Sequence, residues 1–457
     1  MIFIADELSQ SGSHFHTNVF RSLSSGNDLL IDTAVWRATT DVFECLSERC
    51  SRNSQECIVY NPHTDETFFL DIKKHFPRAT LYVFFSDDEW RHDSYDRYIA
   101  LYADYFSITS YVENLQRYKD YGFRNAMLCQ WACNPDLFHP VAAESKDLDV
   151  TFVGAAYGKR IDYVRYLVKS GIRVRVYGKH WDRHRWARER WGGIPSHEQV
   201  LKIIARSKIC LNFLWTSYDP SRTTIKGRCF ELPACGAFQL CNESKELELY
   251  GFREGQTVAT FQNRRDLLEK VRYYLRNDNQ RYAVAAQAYK LVRREHTWRK
   301  RFQPILAAMK RRTETNEFPV PRILVAVKPE VTHEIDPSDP RMEIDLVTLE
   351  ALPSKTFDAY DGVAVLKESS SINNETLWMM GLALLWDNAE MVISAFYLHQ
   401  GTERLWIRPA RKALLRRWVP TAHFPSAAKL YSTCICQQGV PSTVGSRERI
   451  TVVEVPS

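Results

Sequence analysis

The sequence of 457 residues is short of several features, and each shortage removes a class of protein. It has no apolar run approaching the ~18 residues of a membrane-spanning helix, so an integral helical membrane protein is not expected. It has no basic leader. MIFIADELSQ carries Asp6 and Glu7 early and reads as a buried first strand, not as an export signal. Its 11 cysteines form no paired framework, which predicts reduced thiols and a cytoplasmic location. There is no G-x-S-x-G elbow for a serine hydrolase. Cys434 and Cys436 lack a second pair at zinc spacing. With 45% hydrophobic and 25% charged residues, a disordered tail or a fibre is also excluded. At roughly 150 residues per domain, the length predicts about three domains.

What is present is a segregated charge. Residues 1–145 hold 21 Asp+Glu and 12 Lys+Arg, whereas residues 158–228 hold 17 Lys+Arg and 5 Asp+Glu. A basic block of that size suits an anionic partner or a strongly solvated face. Short apolar runs alternate with helical patterns through the first 145 residues: strands at 1–5, 29–32, 57–60, 81–85, 105–109 and 126–130, with helical stretches at 65–76 and 93–104. That alternation predicts a parallel sheet covered on both faces, with ligands beyond the carboxyl ends of its strands.

Pro135 and Pro140 mark a linker, after which the pattern restarts. Strands are predicted at 149–156, 172–178, 209–215 and 237–241. Helices are predicted at 159–171, 196–208, 226–236 and 263–278, with one long helical tract at 279–313. Residues 318–457 form a third unit, with strands at 323–328, 360–367 and 390–398 and a helix at 375–388. The fold expected is α/β: domains at 1–145 and 146–315, both Rossmann-like, face each other across a cleft, and 318–457 is an accessory α/β domain.

Two stretches of the basic domain carry chemistry. VGAAYGKR (153–160) is a strand, a glycine turn and a helix start, which offers backbone N–H groups and a helix dipole to an anion. In TTIKGRCFELPACGAFQL (223–240), Lys226 and Arg228 flank the start of a helix, an awkward place for cations unless an anion sits there. Glu231 lies three residues after Arg228, near one face, where a carboxylate accepts ribose hydroxyls; a plain surface Arg–Glu pair is the alternative. KHWDRHRWARERW (179–191) interleaves Trp181, Trp186 and Trp191 with four arginines. It reads as an amphipathic helix with its tryptophans on the sheet, or as a surface that stacks on sugars or bases. Asp147 and Asp149 form an Asp-x-Asp, read as solvated, and no metal is expected.

The stretch 226–302, with Arg228, Phe230, Glu231, Ala234, Cys235, Gly236, His296 and Thr297 in order, resembles the C-terminal half of CgeB-type glycosyltransferases of the GT-B fold. DVTFVGAAYGKRIDYVRYLVKSGIRVRVYGKHW (149–181) is similar to that family's opening βαβ unit. FFSDDEW (84–90) and residues 105–140 resemble its first lobe. The resemblance implies a nucleoside diphosphate sugar as donor and no separate cofactor. Glu231 would hold the ribose, and Lys226 and Arg228 the diphosphate. Gly154 and Tyr157 would line the pyrophosphate turn, with Lys179 adding charge. A related Glu-x7-Glu pair has Thr223 at its first position here, which leaves more neutralisation to the cations.

The acidic lobe is expected to serve a hydroxyl acceptor, whether glycan, protein, lipid or DNA. Asp87 and Asp88 follow an apolar strand, where a carboxylate can take an acceptor proton or cap a helix. His14, His16 and His63 lie in loops after other strands, with His16 the expected base. The competing expectations are a nucleic-acid-binding protein using the 158–228 block, a transferase acting on DNA, and a nucleotide-sugar epimerase of similar architecture. A homo-oligomer is compatible with all of them.

Overall fold

The computed structural model describes residues 2–5, 19, 23, 29–32, 56–60, most of 69–109, nearly all of 112–311, and separate segments of 315–453 that include the strands and the helix named below. The first sheet is parallel throughout, with β1 (Ile2–Ala5), β2 (Leu29–Asp32), β3 (Glu56–Tyr60), β4 (Thr80–Phe85), β5 (Tyr105–Ile108) and β6 (Ala126–Leu128) in the order β2-β1-β3-β4-β5-β6. Its β4, TLYVFF, is apolar at successive positions and buried from Leu81 to Phe85. Such a run belongs in a sheet covered on both faces. The stretch expected to be one helix at 93–104 is, where described, a short α turn at Arg97–Ile99 running into a 3-10 turn at Ala100–Tyr102.

The second sheet is also parallel, with β7 (Leu148–Val153), β8 (Val174–Tyr177), β9 (Ser207–Asn212), β10 (Gln239–Asn242) and β11 (Ala259–Phe261) in the order β11-β10-β9-β7-β8. Local chemistry sets its helices. Ser196 and Gln199 form a capping box on His197–Arg206. The Asn263 side chain accepts from the N–H groups of Arg265 and Asp266 to start Arg264–Arg276. In both sheets the strand order reverses beside the first strand, between β1 and β3 and between β7 and β9. Such a switch point opens a crevice at the carboxyl ends of the strands.

The helical tract expected at 279–313 is two helices, Asp278–Glu295 and Trp298–Met309. They part at His296 and Thr297, and the Thr297 side chain caps the second through the Lys300 N–H. Here the chain returns to the first sheet. Cys133 N–H donates to the His296 carbonyl and Trp298 N–H to the Cys133 carbonyl, each at 3.0 Å, so the outgoing and returning strands are bonded side by side. Trp298, Phe302, Ile305 and Met309 then pack on Tyr82, Phe84, Tyr105 and Ala132. The last helix of the second unit therefore belongs to the core of the first lobe.

A third, mixed sheet follows. It contains β12 (Arg322–Val327), β13 (Glu343–Thr348), β14 (Gly362–Leu366), β15 (Met391–Ser394), β18 (Lys429–Ser432) and β19 (Ile450–Val453), beside a hairpin of β16 (Phe396–Gln400) and β17 (Glu403–Ile407). The predicted single strand at 390–398 is thus split between sheet and hairpin. The helix Asn374–Asp387 is apolar on several sides, and Leu377, Met379, Met380, Leu382 and Ala383 are buried. Phe318 and Trp386 carry this unit onto the first lobe, with ring centroids 5.0 Å from Phe123 and Tyr121 respectively. No helix among the described residues is long and apolar enough to cross a membrane.

Candidate functional site

The carboxyl ends of β7 and β9 meet at the second lobe's switch point. After β7 the chain turns through Gly154–Gly158 into the helix Lys159–Lys169, whose first turn has no side-chain cap. Gly154 N–H donates to the Tyr177 carbonyl (2.8 Å) and Ala156 N–H to the Lys179 carbonyl (3.0 Å), which fixes the turn against the end of β8. Gly178 permits that approach: its φ is +119°, and a Cβ there would lie 2.6 Å from the Gly154 oxygen. The N–H of Gly154 is therefore committed to the sheet, and any anion contact falls to the rest of the turn. Lys179 is exposed and contributes its carbonyl to the turn.

Lys226 reaches this turn from the other side. Its Nζ donates to the Trp215 carbonyl (2.9 Å) and lies 3.3 Å from the Tyr157 hydroxyl. The loop bearing it is strapped down, because Ile225 N–H donates to the Glu246 carboxylate (3.0 Å) and Thr224 N–H to the Leu214 carbonyl (3.0 Å). Sequence reasoning missed Arg160. Its guanidinium lies 3.7 Å from the Tyr157 ring centroid, donates to the Phe213 carbonyl (3.2 Å), and is 7% exposed. Burial pulls its pKa down to about 10. Lys159 stands 5.6 Å from the centre of the Trp215 ring. Among the described residues neither Arg160 nor Lys226 pairs with a carboxylate, whereas the Lys159 charge helps to hold the Asp219 carboxyl below its ordinary value. The signal available in the sequence was the run Tyr-Gly-Lys-Arg at a βα turn, whose arginine reads as a solvated helix residue until its burial is seen.

Arg228 and Glu231 do share a face, with Nη1 and Oε2 3.4 Å apart. Arg228 thus engages Glu231 while Lys226 engages Tyr157, so the two cations expected to act together have different partners. Burial raises the Glu231 pKa, partly offset by Arg228 and then His197. Gly227 sits between the lobes here. A Cβ on it would lie 3.4 Å from Glu231 Oε1 and 3.8 Å from a ring carbon of Trp131, which follows the first sheet. Glu231 therefore lies at the seam where the two lobes approach. Thr223 opens onto a neighbouring cavity of about 520 Å³ lined also by Glu243, Ser244, Lys245 and Glu248.

In the first lobe, Asp88 opens a short helix, Asp88–Arg91, and is buried. Burial first, then the charges of Asp96 and Asp88, pushes the Tyr118 hydroxyl up. Asp88 accordingly acts on the lobe interior and is not brought to the surface of the crevice. Asp87, His14, His16, His63, Cys434 and Cys436 lie outside the described residues. The Asp-x-Asp is engaged elsewhere: Asp147 pairs with Arg206, and Asp149 with Arg173 (2.7 Å) and Lys208 (2.8 Å). The tract 179–191 is not an α-helix. His180 is left-handed (φ +72°) and His184 extended, which cuts it into 3-10 turns at Trp181–Arg183 and Arg185–Arg190. Trp181 is fully buried, its Nε1 donating to the Gly154 carbonyl (2.8 Å), so it supports the turn and offers no ring to a ligand.

Residues 135–307 match the family described as glycosyl transferase-like. The spore protein CgeB of Bacillus subtilis (strain 168) is 24% identical over 230 residues, spanning 46% of this chain and 69% of that protein. Among solved structures, the alpha-glucosyltransferase AGT in complex with UDP superposes with a TM-score of 0.50 at 10% identity, over 68% of this chain and 99% of that one. Anabaena HepE in complex with UDP and glucose gives 0.47 at 9% identity, over 67% and 98%. The two parallel sheets with their flanking helices have the GT-B-like architecture seen in AGT.

Proposed function

We propose that the chain transfers a sugar from a nucleoside diphosphate sugar to a hydroxyl group. One observation carries this reading. Lys226 and Arg160 converge on Tyr157, at the uncapped start of an 11-residue helix and at the switch point of a parallel sheet, with no carboxylate paired to either among the described residues. Cations at a helix start repel its dipole, and a diphosphate removes the conflict. Lys226, Arg160 and Lys159 bind the two phosphoryl groups and stabilise the charge that builds as the diphosphate leaves. No step of this reading calls on a divalent ion. Glu231, oriented by Arg228, takes the ribose hydroxyls. The likeness to AGT, solved with UDP, and the family match over 135–307 support a nucleotide donor.

The first lobe presents the acceptor. Asp87 and His16 are the candidate bases proposed for that side, and Asp88 is buried in the lobe interior. Approach of the lobes about the Cys133–Thr297 seam excludes water from the reacting sugar. A thermal-shift screen across nucleoside diphosphates tests the reading, because a ligand of the native state raises the midpoint. At least one diphosphate should raise it, and Lys226→Ala should reduce the rise. No shift with any of them would contradict the donor assignment.

A further inference from the structure

The tract Lys179–Trp191 is seated on the donor turn. Ala156 N–H donates to the Lys179 carbonyl (3.0 Å), Trp181 Nε1 to Gly154 (2.8 Å), and Trp191 Nε1 to Gly178 (2.9 Å). Trp181 and Ala187 face inward and are buried, while Arg183, Arg185 and Arg188 are exposed and Arg190 is half-buried. Where these arginines are held, carbonyl oxygens hold them. Arg188 Nε donates to the Asp182 carbonyl (3.1 Å) and Arg190 Nη1 to Trp186 (3.1 Å); Arg175 Nη1, from β8, donates to Glu189 (3.0 Å). A carbonyl fixes a guanidinium in place but leaves its net charge uncompensated. Among the described residues, none of Arg183, Arg185, Arg188 and Arg190 has a carboxylate partner. The tract also covers the edge of the sheet, through the bridge between Val176 and Trp191, which accounts for its backbone but requires no arginine.

We propose that this arginine rim binds nucleic acid, and that the acceptor hydroxyl required by the transferase reading, on which this inference rests, is carried on that polymer beside the donor turn. Guanidinium forks match the oxygens of successive phosphodiesters. The half-buried rings of Trp186 and His184, 6.2 Å apart, lie among the arginines as stacking surfaces. An anionic membrane is the poorer fit. The tract turns Trp181 and Ala187 away from solvent, and the exposed Ile194 beyond it gives a bilayer little to bury.

The test uses the full chain and a fluorescent DNA strand of about 20 nucleotides, single and duplexed, titrated between ~50 and ~200 mM salt. Wild type should bind at least one form. The combined variant Arg183→Gln, Arg185→Gln, Arg188→Gln and Arg190→Gln should bind about 10-fold more weakly or worse, and its salt slope should flatten by ~0.7–0.9 for each phosphate no longer neutralised. Arg183→Gln with Arg185→Gln alone, which touches no carbonyl anchor, should lose part of the same slope. In both variants the thermal shift given by the nucleoside diphosphate should stay at the wild-type value, which reports an intact fold and donor seat. Equal affinity and slope in wild type and the combined variant would overturn the proposal. So would failure of wild type to bind either strand, or binding to phosphatidylserine vesicles in preference to DNA. Loss of the diphosphate shift in wild type would instead sink the donor reading, so the two failures are distinguishable.

Discussion

The two ends of the second sheet are built from the same residue types and treat charge in opposite ways. At the amino-terminal ends of β7, β8 and β9, Arg206 meets Asp147, and Arg173 and Lys208 share Asp149. At the carboxyl ends, Lys159, Arg160 and Lys226 meet aromatic rings and carbonyl oxygens. The carboxylates at the two ends also shift in opposite directions. Burial would raise Asp149, but the hydrogen bonds from Arg173 and Lys208 more than offset it and leave its pKa low. Burial raises Glu231, and Arg228 only partly restores it. Paired charge marks the end that holds the sheet together, and the proposed donor site lies at the end where Arg160 and Lys226 are unpaired among the described residues.

The largest effect should come from removing cations at the unbalanced end. Arg160→Met should weaken nucleoside diphosphate binding by about 10- to 100-fold, the value of one charge-assisted hydrogen bond of roughly 1.5–3 kcal/mol. Calorimetry checks it, and Arg160→Lys should recover part of the loss. Glu231→Gln should reduce affinity by about 10-fold for the ribonucleotide and little for its deoxyribose counterpart. If the variant still discriminates the two sugars as wild type does, Glu231 does not read the ribose.

The pH dependence sharpens the comparison. Glu231 binds its proton more tightly in the folded state, so its contribution to stability falls as pH rises from about 4.5 through its raised pKa. Glu231→Gln should remove that decline in the thermal midpoint. Asp149 has the opposite sign: its contribution is complete above its ordinary value of 3.8 and is lost as pH falls through its lowered pKa. Asp149→Asn should therefore flatten the acid limb, at a cost of about 1 kcal/mol at neutral pH, and leave diphosphate binding alone. Arg206→Gln, which breaks an exposed pair, should leave the thermal midpoint close to the wild-type value.

Much of the fold was legible because strands of a covered parallel sheet leave apolar runs, and β1 to β10 fall on the expected runs to within a few residues, whereas the three-residue β11 was too short to stand out. The misreadings have local causes. The arginine–tryptophan tract looks helical by composition, but Gly178 and the left-handed His180 start it in the wrong conformation and the extended His184 divides it. The long helical tract breaks at His296 because its ring is committed to a crossing: Nε2 lies 2.8 Å from the Tyr250 carbonyl, and Nδ1 2.9 Å from Arg301. That crossing is invisible to periodicity. Of the residues proposed for the site, Lys226 and Glu231 stood out in the sequence by their places at a helix start. Arg160 was not, since only the packing of Tyr157 and Phe213 around it separates a buried cation from a solvated one. Nor could spacing show that Arg228 would turn to Glu231 and away from Lys226.

The most direct measurement is a calorimetric titration of UDP, GDP, ADP and TDP into the wild-type chain and into Lys226→Ala. The account predicts saturable binding of at least one of the four to wild type, weakened by about 10-fold or more in the variant. Equal affinity in the two proteins, or no binding to wild type by any of the four, would contradict it.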